Sequence, residues 1–180
     1  MLTSSVWRGR TQYFLAGLVS GALLTGLLVG AVAGWLEPLP RSWRVALVGT
    51  LLVAILAFEL AGRPLRLPQN ARAVPQTIID GPWVRAPLQF GFEMGTGLRT
   101  FMPTALPHAL VLLVLGLGGL GPGLLAGLGF GFGRVLMPVV RSLSPSPRRW
   151  DARLEQLLAW TGRGTAVAFA AAATAIVVGG

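Results

Sequence analysis

There is no cysteine and no lysine among the 180 residues, and there is one histidine; six carboxylates stand against fifteen arginines. Without cysteine, the chain has no disulfide, no thiolate metal site and no thiol redox chemistry of its own. The single His108 cannot build a multi-histidine metal site, and no cofactor is implied by any motif. Without lysine, the formal charge of +9 rests on guanidinium groups alone. So basic a chain suggests nucleic acid, but the arginines stand in short clusters beside apolar segments. That is the distribution that orients membrane helices and attracts anionic headgroups, and no nucleic-acid partner is expected.

Charge is scarce overall. Only 12% of the residues are charged and 53% are hydrophobic, with 25 glycines. About 20 apolar residues in a row cross a bilayer core, and several such runs occur. The expectation is an all-α, polytopic membrane helical bundle forming a single integral membrane domain with the lipid bilayer as its partner. About five transmembrane helices are predicted, at residues 12–36, 45–61, 108–120, 124–140 and 164–180. Two basic segments, 62–87 and 141–163, are predicted as cytoplasmic loops. The six tryptophans, Trp7, Trp35, Trp43, Trp83, Trp150 and Trp160, all fall at predicted boundaries, as an interfacial belt requires.

Individual segments sharpen this. The first apolar run follows Arg8 and Arg10 and contains Ala31-Val32-Ala33, which resembles a signal-peptidase site. The run is longer than a signal core and is followed by Trp35, so a retained helix is expected. Gly17, Gly21, Gly26, Gly30 and Gly34 form a small-residue stripe for close helix approach, as do Gly119, Gly123, Gly127 and Gly131 around the turn "GLGPG". These faces predict a homo-oligomer or association with other membrane subunits. Glu59 ends the second span, where it is expected to pair with Arg63 four residues on. "GLGFGFGR" has no preceding strand and is not a nucleotide loop. The stretch from Trp150 to Trp160 is amphipathic and is predicted to lie on the membrane surface.

The polar side chains concentrate in "GFEMGTGLRTFMPTALPHAL", residues 91–110. If 88–106 crossed as a sixth helix, Arg141, Arg148, Arg149 and Arg153 would lie outside. Five crossings with a re-entrant or interfacial 88–106 keep both basic loops inside. On a continuous helix, Glu93, Thr96, Thr100 and Thr104 would share one face, with His108 at its edge. Pro103 and Pro107 would interrupt that helix. Polar stripes with broken backbone mark ion or substrate sites in transporters, so these five residues are the predicted pathway. A surface-lying amphipathic helix is the structural alternative.

"FMPTALPHAL" resembles the proline-containing segment of CcdA/DsbD-type membrane electron carriers, over some 20 residues. That family has a cysteine after the first proline, and here Thr104 stands there. The resemblance implies a similar small helical scaffold without the thiol relay. The expected function is a small transporter or an accessory subunit of a membrane complex in the cell (inner) membrane, with the N-terminus cytoplasmic. The alternatives are an integral membrane enzyme using Glu93 and His108 as acid and base, unsupported by a nucleophile or metal motif, and a cysteine-less CcdA-like relic.

Overall fold

A computed structural model describes residues 9–63, 65, 81–97 and 104–179. Most of the first basic segment therefore lies outside the described residues, as do Trp7, Arg8, Arg99, Thr100 and Pro103. The described chain is helical, with no strand among its residues. Its helices are α1 (Thr11–Trp35), α2 (Arg41–Leu60), α3 (Arg85–Gly95), α4 (Leu106–Leu117), α5 (Leu120–Leu143) and α6 (Pro147–Gly179). The expected all-α architecture is what forms. Three of these helices, α1, α2 and α5, are long and apolar enough to cross a membrane.

Two boundaries differ from expectation for clear reasons. The turn predicted around "GLGPG" forms at Gly118 and Gly119, which both have φ near +80°. Two adjacent left-handed residues end a helix readily only as glycine. Pro122 then falls in the first turn of α5, where its missing N–H costs no bond. The predicted loop 141–163 is mostly helix, because α5 runs to Leu143 and α6 starts at Pro147. The amphipathic stretch and the last apolar segment are thus one helix of 33 residues, about 50 Å long.

Contacts divide the chain into two compact units. The first contains α3, most of α1 and α5, and the start of α6. Its apolar centre is Phe14, Leu18, Ala86 and Phe90, with Met94 and Val135 packed against them. Here α1 and α3 meet backbone to backbone. A Cβ on Gly17 would stand 2.1 Å from the Leu88 carbonyl oxygen, and one on Gly91 would stand 2.1 Å from that of Phe14. Each helix thus contributes a Gly-x-x-x-Gly notch, Gly17/Gly21 and Gly91/Gly95, filled by its neighbour's backbone. The opposite face of α1 receives α5, where Gly127 approaches Ala22 and Gly26.

The second unit contains α2, α4 and most of α6, with the end of α1. Its centre is Leu52, Ala109, Leu113 and Ala173, supported by Val48, Ile55, Leu112 and Phe169. Helix α2 packs along α4 and also holds both of its ends. The Glu59 carboxylate accepts the Ala105 N–H at the start of α4, and Arg44 Nη1 donates to the Gly116 carbonyl in its last turn at 3.4 Å. Negative charge at the N-terminus and positive charge at the C-terminus both match the helix dipole. Arg44 thus has a local task at the end of α4.

Candidate functional site

The predicted polar segment is built from two helix ends. In the first unit, α3 stops at Gly95 and Gly97 takes φ +72°, a conformation that does not continue a helix. The last carbonyls of a helix lack backbone partners, and threonines supply them here. Thr96 Oγ1 donates to the Glu93 carbonyl at 2.8 Å. Thr25 Oγ1 of α1 donates to the Thr96 carbonyl at 3.1 Å, while also reaching Gly21 O at 3.2 Å. The half-buried Glu93 side chain accepts from Gln89 Nε2 one turn back, at 3.3 Å.

In the second unit, α4 begins after Thr104 and Ala105. Pro107 sits in its first turn, so it starts this helix rather than interrupting one. The His108 and Ala109 amides close on the Ala105 carbonyl at 3.0 and 3.1 Å. His108 is half-buried in that first turn, on the helix end that Glu59 caps.

The continuous face expected for residues 93–108 therefore does not form. Glu93 and Thr96 close α3, whereas Thr104 and His108 open α4 in the other unit. Thr100 lies outside the described residues. Sequence reasoning missed Glu59 as a neighbour of this segment and assigned it to Arg63. Its structural role was anticipated; its partner, 46 residues away, was not. The available signal was a carboxylate in the last turn of an apolar helix, which in a membrane needs a specific partner.

The hydrogen-bonding and titratable groups are Glu93 with the hydroxyls of Thr25 and Thr96 in the first unit, and Glu59, Thr104 and His108 in the second. Among the described residues no group of three or more His, Asp or Glu is placed to hold a metal ion. No family model, curated protein or solved structure matches this chain.

Proposed function

We propose that the chain is a small, non-enzymatic transport subunit of the cell (inner) membrane, with Glu93, Thr96, Thr100, Thr104 and His108 as its polar pathway. The observation that carries this reading is the split of the polar segment into α3 and α4. At 11 and 12 residues they are about 16 and 18 Å long, short of the roughly 30 Å core. Both polar ends flank the break. Discontinuous helices with polar inner ends are the usual form of ion and substrate sites in transporters.

Within the first unit the residues ahead of α3 lie by the start of α1, and within the second the residues past α4 lie by the end of α1. Arg10, at the start of α1, lies 3.6 Å above the Trp83 ring just ahead of α3. Gly119, just past α4, lies against Gly30 near the end of α1, with its carbonyl 2.9 Å from where a Gly30 Cβ would be. Counting α1, α2, α3 with α4, α5 and α6 gives five crossings. With the N-terminus cytoplasmic, both basic segments stay inside. The resemblance to CcdA/DsbD-type carriers fits such a scaffold, and with Thr104 at the cysteine position the proposed cargo is an ion or small polar solute.

The test needs no knowledge of cargo. The chain has no native cysteine, so Glu93→Cys, Thr96→Cys, Thr104→Cys and His108→Cys each provide one thiol. In reconstituted vesicles these should react with a small water-soluble thiol reagent, while Leu125→Cys on an apolar exposed face should not. Unreactive thiols at all four positions would remove the pathway and leave a scaffold.

The accessory-subunit reading is favoured by a separate observation. On α5, Gly121, Gly129 and Gly133 have open space where a side chain would stand, next to exposed Leu125 and Phe132. Small-residue faces of this kind admit a neighbouring helix. The enzyme reading has no nucleophile or metal motif behind it.

A further inference from the structure

The first half of α6 is largely exposed and rich in arginine, and the pathway does not use it. Leu157 and Leu158 are half exposed and Trp160 is 71% exposed. Arg148, Arg149, Arg153 and Arg163 are exposed as well. At about 100° per residue, these four arginines fall within about 140° of one another. Trp150, Leu154, Leu157 and Leu158 fall within about 100° on the adjoining face. The opposing charge is small. Asp151 is already held by Arg141, whose Nε and Nη2 each donate to a carboxylate oxygen at 2.8 Å, leaving Glu155 as the other carboxylate of this stretch.

Both ends of the stretch are tied to helix C-termini. Asp151 binds the last turn of α5 through Arg141. The Arg163 guanidinium lies beside Gly62, just past α2, with Nη2 3.8 Å from where a Cβ would be. In the five-crossing reading, on which this step rests, the start of α6 lies on the cytoplasmic side, where its exposed arginines reach headgroup phosphates. We infer that residues 148–163 are an anionic-lipid site: the leucines and tryptophans enter the headgroup boundary and the arginines bind phosphate-bearing anionic phospholipids.

The experiment uses full-length protein with Leu157→Cys, labelled with an environment-sensitive fluorophore, in nanodiscs of phosphatidylcholine alone or mixed with phosphatidylglycerol. The label should shift to the blue and resist an aqueous quencher in the anionic discs, and added salt should reverse both changes. Each arginine near an anionic surface favours docking roughly fivefold. Adding Arg148→Gln, Arg149→Gln and Arg153→Gln should therefore abolish the lipid dependence, and the three Lys variants should restore it. Equal emission in the two lipids, or a salt-insensitive shift, would overturn the inference. Both leaflets of these discs have one composition, so the result does not depend on which side the helix faces. The crossing count can then fail independently, in a reporter assay.

Discussion

Gly91 and Gly129 are alike in sequence, both inside helices, yet their surroundings are opposite. A Cβ on Gly91 would stand 2.1 Å from the Phe14 carbonyl and 3.0 Å from the Leu18 nitrogen, whereas one on Gly129 meets nothing within 4 Å. Backbone cannot step aside as a flexible side chain can, so Gly91→Ala must push α3 away from α1. We expect it to cost about 1–3 kcal/mol, as overpacking does. Gly129→Ala should be neutral or stabilise by up to about 1 kcal/mol through helix propensity. Thermal unfolding in detergent distinguishes the two. A comparable loss from both would mean that glycine content, rather than close approach, matters. Glu59→Ala strands the Ala105 N–H and should cost about 1–3 kcal/mol, with Glu59→Gln recovering much of it, since an amide oxygen still accepts. If the two variants behave alike, the carboxylate does not cap α4.

Among the elements, α4 is held by charge at both ends, and the α5–α6 junction carries an ion pair. Hydrogen bonds from Arg141 hold the Asp151 carboxyl below the usual carboxylate range. A depressed folded-state value adds stability above the usual carboxylate range, and that contribution is lost as pH falls through the folded value. The pair is partly exposed, at 25% and 22% for the two side chains, so water and salt weaken it. The effect should be local: protease cleavage in the connecting residues 144–146 should rise at acid pH in the native chain. In Asp151→Asn cleavage should be raised already at neutral pH and respond little to acid. An identical pH profile in the variant would assign the junction's stability to helix packing.

For the whole molecule, the crossing count is the quantity to measure. A C-terminal reporter active only outside the cytoplasm should be active, and the same reporter inserted within residues 71–76 should be silent. The opposite pair of results would exclude five crossings. Replacing Arg148, Arg149 and Arg153 together should scramble the orientation of the last helix in cells, because basic residues within about 15–20 residues of a span set its direction. Unchanged orientation would show that contacts such as Ala173 against Leu52 and Leu113 outweigh loop charge.

Composition and periodicity were enough to establish helices, apolar runs of spanning length and the polarity of residues 91–110, because these depend on transfer free energies that act residue by residue. They also marked the glycines of α1 as a close-packing surface. That surface was one stripe in the linear reading and is two in the fold. The five-residue step from Gly21 to Gly26 turns the helix by about 140°, so Gly17 and Gly21 face α3 while Gly26 and Gly30 face α5. Gly91 and Gly95 could not be recognised as the matching notch, since nothing local says which helix will arrive. The same holds for Glu59. Arg63 is its nearest cation along the chain, and a local rule pairs them; only the packing of α2 on α4 brings the Ala105 N–H to it. The break between α3 and α4 was anticipated as a disturbance at proline. Its position came from Gly97 and from the caps that Thr25 and Glu59 supply across helices. Which groups satisfy a helix end depends on neighbours distant in sequence, and that choice belongs to tertiary structure.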